Sequence, residues 1–202
     1  MVSKIIPAIL AKTEKEFEQK ISQTIKFATR AQIDIMDGRF VSYVSVCPEN
    51  LIKKYAQKVF LEAHLMIEKP EEKFDYYQSL DFKKLIPHYK SLKNANNFLA
   101  HHTGISIALN PDEPVSPLRP YLENIETVLL MGVNPGKMGQ KFIPETLNKV
   151  RQLRKLSDKI EIEVDGGINK SNIAEVAKAG ANTIVVGSAI FGKGNSKKII
   201  KF

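Results

Sequence analysis

Short apolar segments alternate along this 202-residue chain with polar segments that have the spacing of amphipathic helices. The apolar segments recur about every 25 residues, a pattern typical of alternating strands and helices. They predict strands over residues 4–10, 30–36, 59–67, 82–88, 104–110, 127–133, 159–165 and 182–188. The polar segments predict helices that begin near Thr13, Cys47, Pro70, Ser91, Pro114, Pro144, Asn169 and Asn195. Thr13 and Glu16 have the spacing of a capping box, which supports the first of these starts.

This repeat predicts the α/β class and a single (β/α)8 TIM barrel with eight parallel strands, formed as one domain by residues 1–202. No linker or change of composition interrupts the repeat. An open, doubly wound sheet is the structural alternative. Two features favour the barrel: the number of units, and the polar residues that follow the predicted strands, where barrel active sites lie.

The composition excludes several classes of protein. The apolar runs are well short of the roughly 20 residues that a membrane span needs, and the N-terminal run is too short for a signal peptide. We therefore expect a soluble, cytoplasmic protein with no membrane partner. The net charge is +8, but the lysines are dispersed, so nucleic-acid binding is not expected. A basic surface that attracts small phosphorylated anions is the simpler interpretation.

Two carboxylates mark the ends of predicted strands. Asp34 shares a strand face with Gln32 and Met36, while the residues between them point to the other side. A lone carboxylate inside a barrel is costly unless it is paired or metal-bound, so Asp34 calls for a partner. Asp165 ends the seventh predicted strand, and His64 lies in an otherwise apolar third strand.

These residues suit one kind of chemistry. Opposed carboxylates at a barrel mouth, with a cation nearby, can move a proton next to a carbonyl: one acid removes it and the other returns one to the opposite face. His64 beside Asp34 makes a shared metal plausible, although a buried histidine is more often a core residue. Glu161 and Glu163 share the face of Asp165, and the sequence leaves open whether they also point inward.

Glycines cluster after the last three predicted strands, where barrels often bind phosphate through backbone N–H groups. They are Gly136, Gly139, Gly166, Gly167 and Gly187, the last followed by Ser188. Tight turns alone would explain any one of these glycines, but three consecutive loops at one corner favour a phosphate site.

The segments DIMDG, EAHLM, ALNP, VNPG, IEVDGGIN and IVVGSAIFG, in this order, resemble the ribulose-phosphate 3-epimerase family. The resemblance implies a ribulose-phosphate-binding barrel that interconverts D-ribulose 5-phosphate and D-xylulose 5-phosphate through a metal-stabilised enediolate. It implies Asp34 and Asp165 as the acid/base pair, and both of them with His64 as ligands of a divalent cation (Zn, Fe, Mn or Mg). It also implies substrate or phosphate contacts from His64, Gly136, Lys137, Met138, Gly139, Gly166, Gly167, Gly187 and Ser188, with Ala8, Met36, Met66 and Met131 lining the site. Self-association is common in the family and is expected here.

The chain departs from the family's pattern at several of these positions. Gln32 stands where the family has a further metal-ligating histidine, and an amide oxygen suits hard cations better than zinc. Ala8 replaces a serine, Lys137 and Met138 interrupt a glycine-rich loop, and residues 39–43 differ in the loop that covers the sugar. Two alternatives therefore stay open: an epimerase of a related ketose phosphate such as allulose 6-phosphate, and a catalytically weak relative that binds a sugar phosphate.

Overall fold

The computed structural model describes residues 4–136 and 139–192, and its centre is a barrel of eight parallel strands. The strands are β1 (Lys4–Ile9), β2 (Arg30–Met36), β3 (Phe60–Met66), β4 (Lys84–Pro87), β5 (Ile105–Leu109), β6 (Ile125–Met131), β7 (Glu161–Asp165) and β8 (Thr183–Val186). Their spatial order is β4-β3-β2-β1-β8-β7-β6-β5. A parallel bridge between His88 and Ala108 joins the two outer strands, so the barrel is nearly closed. The predicted barrel is confirmed, and the open sheet is excluded.

Helices lie between the strands on the outside of the barrel. They are α1 (Glu14–Thr24), α2 (Glu49–Ala56), α3 (Phe74–Gln78), α4 (Ala95–His101), α5 (Thr146–Leu156), α6 (Ile173–Ala179) and α7 (Ser188–Phe191). Short 3-10 helices cover Pro70–Lys73, Tyr89–Ser91 and Ser116–Tyr121. Thr13 caps α1 as predicted, because its side chain accepts the backbone N–H of Glu16. None of the helices within the described ranges is long and apolar enough to cross a membrane.

One predicted helix start differs from the structure. The α-helix predicted near Pro114 is wrong, since a 3-10 helix takes its place. Pro117 and Pro120 both lie in this segment, and a proline inside a helix removes a backbone donor and clashes with the preceding turn. The helix predicted near Asn195 lies outside the described residues. The other starts are confirmed to within about four residues, an offset that frayed ends and short 3-10 turns readily produce.

Alternate residues of each strand point in opposite directions, so the barrel separates an outer core from its interior. The outward side chains, such as Ile33 and Ile35 of β2, pack with Ile52 of α2 in one of the two large apolar clusters between strands and helices. The interior carries polar side chains at both ends. Two small clusters of apolar side chains lie between these ends; one contains Ala8 and Val185, and the other contains Ile86 and Leu129.

The end of the barrel near the strand N-termini holds a partly buried ionic network. Arg30 donates to Glu62 and Glu161 at 2.7 Å each, and also to Glu163. Lys84 contacts Glu161 at 2.7 Å and Glu163 at 3.1 Å. The question that the sequence left open is thereby settled: Glu161 and Glu163 both point into the barrel, below Asp165 on the same strand.

Candidate active site

The strand register brings the candidate catalytic and metal-binding residues to the end of the barrel that lies opposite the ionic network. Asp34 of β2 lies beside His64 of β3, and Asp165 of β7 lies beside Met131 of β6. Because the strands are parallel, these side chains emerge at the same mouth. Asp34 and Asp165 are each 8% exposed, whereas His64 is completely buried.

The two carboxylates and the imidazole lie close enough to share a cation. Nδ1 of His64 is 3.2 Å from Oδ1 of Asp34 and 3.4 Å from Oδ2 of Asp165. One donor atom from each of the three residues lies within 4.8 Å of the other two. Two carboxylate oxygens and one imidazole nitrogen form a donor set that several divalent cations accept.

Gln32 points into this cluster. Its Nε2 donates to Asp165 at 2.7 Å and to Asp34 at 2.9 Å, and it lies 3.2 Å from Nδ1 of His64. Its Oε1 is buried and finds no hydrogen-bond partner among the described residues. The amide nitrogen thus bridges both acids, while its acceptor oxygen is left unused.

The arrangement of these side chains fits a divalent cation. Asp34, His64 and Asp165 supply three converging ligand atoms, and Oε1 of Gln32 is buried without a hydrogen-bond partner among the described residues. Amide oxygen and nitrogen have nearly the same shape, so a half-turn of the amide exchanges their positions. Gln32 would then complete a set of three oxygens and one nitrogen.

The titratable groups of the site influence one another strongly. Burial alone would lower the pKa of His64, but hydrogen bonds to Asp165 and Asp34 outweigh it and raise the pKa to about 9. Burial raises the pKa of Asp34, and the charge of Asp165 raises it further, against the lowering effect of His64. Asp34 therefore keeps its proton to a higher pH than an exposed aspartate does, because its pKa is raised.

A cavity of about 540 Å³, partly open to solvent, lies over these acids. Its lining includes every predicted substrate, phosphate or lining residue that the structure describes: Ala8, Met36, His64, Met66, Met131, Gly136, Gly139, Gly166, Gly167, Gly187 and Ser188. Lys137 and Met138, also predicted, lie outside the described residues. The roles of these residues stay predictions, but their convergence on one cavity is observed.

The segment after β2 packs against two methionines that line the cavity. Asp37 forms a turn, since its Oδ1 accepts the backbone N–H groups of Arg39 at 2.9 Å and Phe40 at 3.1 Å. Val41 then packs with Met36 and Met66. This segment is therefore apolar where it packs against the barrel, whereas the side chain of Arg39 is 77% exposed.

The glycines after β7 allow the loops at the mouth to approach closely. Gly166 has a φ of 102°, and a Cβ there would lie 2.4 Å from Cγ2 of Val133. Gly167 has a φ of 71°, and its Cβ would lie 2.6 Å from the backbone of Phe142. Both positions need glycine for conformation and for space. Two adjoining loops consequently pack backbone to backbone beside the cavity.

Two polar residues of the site were missed from the sequence. His88 follows β4 and Asn110 follows β5, and both are buried at the mouth of the barrel. Nε2 of His88 lies 2.8 Å from Nε2 of His64. Both residues end predicted strands, so the position that singled out Asp165 could also have indicated them.

Known proteins resemble this chain over almost its whole length. The sequence model of the family described as "Ribulose-phosphate 3 epimerase family" matches residues 4–191. A Bacillus subtilis protein named ribulose-phosphate 3-epimerase is 34% identical over 98% of this chain and 96% of its own length. A Schizosaccharomyces pombe protein of the same name is 32% identical, over 98% of this chain and 91% of its own length.

Solved structures of other proteins share the fold at lower identity. A structure described as native KDPGal has a TM-score of 0.63 and 15% identity, and covers 97% of this chain and 88% of its own. A thiamine phosphate pyrophosphorylase from Pyrococcus furiosus has a TM-score of 0.59 and 16% identity, with coverages of 98% and 92%. These two likenesses support the barrel alone.

Proposed function

The chain belongs to the ribulose-phosphate 3-epimerase family, whose named members are isomerases, and from this membership we propose that it interconverts D-ribulose 5-phosphate and D-xylulose 5-phosphate. The observation that carries the proposal is the pair of buried carboxylates at the floor of the cavity. Asp34 and Asp165 both contact one amide nitrogen, so a small group between them is within reach of either acid.

The chemistry follows from this placement. The C3 proton of the ketose is next to the C2 carbonyl, so its removal leaves an enediolate. One carboxylate takes that proton, and the other delivers a proton to the opposite face of C3, which inverts this centre. A divalent cation, when bound, supplies positive charge that offsets the negative charge of the enediolate. Asp34, whose pKa is raised by burial, is suited to carry the proton between turnovers.

The remaining lining residues orient the substrate. The glycine loops line one side of the cavity, and α7 begins directly after Gly187. The first N–H groups of a helix have no partner within it, which favours an anion at this end. We assign the phosphate to this side. Met36, Met66 and Met131 present a flexible apolar surface to the sugar and keep water from the acids.

The donor set also bears on the choice of cation. With Gln32 in place of a histidine, three of the four available donors are oxygens, and oxygen-rich sites favour Mn²⁺ or Mg²⁺ over Zn²⁺. We therefore propose that this protein works with a harder cation, bound less tightly than zinc would be by two histidines. Asp34, His64, Asp165 and Gln32 would hold it.

A catalytically weak, sugar-phosphate-binding protein is the second candidate. The hydrogen bonds from Gln32 to both acids favour it, because each one must be given up before the carboxylates can hold a cation. Ala8 also lacks a hydroxyl beside the substrate. Allulose 6-phosphate is a further candidate substrate, since the family resemblance assigns the altered residues 39–43 to the loop that covers the sugar.

Location and assembly complete the proposal. A relative from Oryza sativa that is named a cytoplasmic isoform is 32% identical over 98% of this chain, which supports a cytoplasmic location. Self-association stays a prediction, as does a single domain over residues 1–202.

The test is an epimerisation assay on both ketose phosphates, with Mn²⁺, Mg²⁺, Fe²⁺ or Zn²⁺ added in turn. We expect turnover of ribulose 5-phosphate that depends on the cation. If wild type turns over neither substrate with any cation, while Gln32→His gains activity with Zn²⁺, the binding candidate replaces the enzymatic one.

A further inference from the structure

The strand that carries Asp34 extends past its neighbour on one side. β1 and β2 pair as far as Ile9 and Ile33, so Asp34 is the first residue of β2 beyond this pairing. On the other side, β2 pairs with β3 up to its last residue, where Met36 lies beside Met66. Because Asp34 and Met36 are buried, their backbone groups on the β1 side need hydrogen-bond partners other than β1.

A single hydroxyl group supplies these partners. Oγ of Ser45 accepts the backbone N–H of Met36 at 3.0 Å and donates to the backbone O of Asp34 at 2.8 Å. A residue of a parallel strand forms the same two bonds, since it donates to one residue of its neighbour and accepts from the residue two positions further on. The hydroxyl of Ser45 therefore takes the place of one further residue of β1.

The chain reverses directly after β2 and so brings Ser45 back to it. Asp37, the first residue after β2, forms an antiparallel bridge with Val44. The backbone N–H of Ser45 then donates to the strand at 3.1 Å, and the N–H of Val46 donates to the O of Ala11 at 3.0 Å. Ala11 follows β1, so Ser45 and Val46 lie where a longer β1 would run.

The carboxylate of Asp34 depends on this end of the strand. Its Oδ1 lies 2.9 Å from Nε2 of Gln32 and 3.2 Å from Nδ1 of His64. A displacement of a catalytic group by about 1 Å can lower a rate about 100-fold. The backbone O that Ser45 holds belongs to the same residue as this carboxylate. Loss of the hydroxyl would free the backbone of Asp34 on the β1 side.

We propose that Ser45 is a positioning residue for the proton transfer: its hydroxyl fixes the end of β2, and with it the carboxylate of Asp34, in place of a longer β1. The positioning role rests on the proposed function, whereas the two hydrogen bonds do not. Ser45 does not belong to the described lining of the cavity. Its loss should therefore slow the chemical step and leave substrate binding nearly unchanged.

The direct test is amide hydrogen exchange, measured by NMR on the cation-free protein. We expect the N–H of Met36 to exchange about tenfold faster in Ser45→Ala than in wild type, because the variant removes its acceptor. Ser45→Thr keeps the hydroxyl and should exchange at nearly the wild-type rate. Ser79→Ala removes a hydroxyl that also donates to a backbone O, but at an exposed position after α3, and should leave Met36 unchanged. An unchanged rate for Met36 in Ser45→Ala would overturn the proposal.

The second test is steady-state kinetics of epimerisation with the same variants. We expect kcat of Ser45→Ala to fall about 10- to 100-fold, with KM within about twofold of wild type, because the carboxylate of Asp34 is displaced. Ser45→Thr should recover most of this loss, and Ser79→Ala should keep the wild-type kcat. A higher KM with an unchanged kcat, or equal losses in the Ala and Thr variants, would contradict a positioning role.

The two tests separate this proposal from the proposed function. If wild type turns over neither ketose phosphate, the proposed function fails, and the exchange rates still decide whether Ser45 holds the end of β2. If wild type is active and Ser45→Ala keeps its kcat, the positioning role fails and the proposed function stands.

A further variant covers the case in which Ser45→Ala does not fold. Ser45→Cys fills the same place with a thiol, which forms weaker hydrogen bonds than a hydroxyl. We then expect faster exchange at Met36 and a lower kcat, both by smaller factors than for the Ala variant. Wild-type values for both in Ser45→Cys would overturn the proposal.

Discussion

Glu62 makes the stability of this barrel depend on pH in an unusual direction. It is completely buried, and its Oε2 accepts from Arg30 while its Oε1 has no partner within residues 4–136 and 139–192. Burial and the charge of Glu163 raise the pKa of Glu62 to about 8, although Arg30 and Lys84 oppose the shift. This network contains three carboxyl groups and two positively charged side chains, those of Arg30 and Lys84. A proton on Glu62 therefore brings the net charge of the network to zero.

The size of the effect follows from proton linkage. In the unfolded chain a glutamate loses its proton near its ordinary pKa of about 4.3, whereas folded Glu62 keeps it until about pH 8. Between these values the folded state binds one more proton, so the free energy of unfolding falls by about 1.4 kcal/mol for each unit of rising pH. Glu62 thus contributes most below pH 4, and its contribution is lost as the pH rises to 8.

The assay compares Glu62→Gln with wild type by urea unfolding at several values from pH 5 to pH 8. Glutamine keeps the shape of the protonated acid and cannot ionise. We expect the free energy of unfolding of the variant, relative to that of wild type, to rise by about 1.4 kcal/mol per pH unit, or about 3 kcal/mol from pH 5.5 to 7.5. Glu126→Gln, the same change at an exposed position of β6, should show no such trend. Parallel curves for wild type and Glu62→Gln would refute the reasoning.

The remaining predictions concern the mouth of the barrel. Asp34→Asn and Asp165→Asn should each lower kcat about 10²- to 10⁴-fold, because each removes one proton-transfer group; steady-state kinetics measures this. Gln32→His should tighten Zn²⁺ binding about tenfold or more, or by about 1.4 kcal/mol, because imidazole is the better donor to zinc; calorimetry measures this. Gly166→Ala should cost more stability in urea unfolding than Gly104→Ala, by about 1–3 kcal/mol, because only the first adds a clash to a positive φ.

Controls make these outcomes interpretable. Asp112→Asn, at an exposed aspartate paired with Lys90, should leave kcat unchanged. Equal stability losses at Gly166 and Gly104 would mean that the contact with Val133 costs nothing. Unchanged Zn²⁺ affinity in Gln32→His would place residue 32 outside the cation site.

Periodicity and strand ends were enough to predict the barrel and much of its mouth. Period-two alternation placed Gln32, Asp34 and Met36 on one interior face, and the structure has them there. All eight strands were found because a buried parallel strand needs a continuous apolar run. The α-helix predicted for the segment at Ser116–Tyr121 was wrong because two prolines override a polar, helix-like spacing.

Other features depend on contacts that no local pattern contains. The ionic network joins Arg30 to Glu161 and Glu163 across 131 and 133 residues of sequence. The meeting of His64 with His88 depends on the register of neighbouring strands, and a single histidine at a strand end does not indicate its partner. The orientation of the Gln32 amide likewise follows only from the two acids beside it.

The most direct measurement of the central claim is NMR of ribulose 5-phosphate incubated with the protein and its cation in D₂O. We expect one deuterium at C3 of the xylulose 5-phosphate formed, and loss of this exchange in Asp34→Asn and Asp165→Asn. Xylulose 5-phosphate that retains its C3 hydrogen, or exchange that persists when both acids are replaced, would contradict proton transfer by this pair.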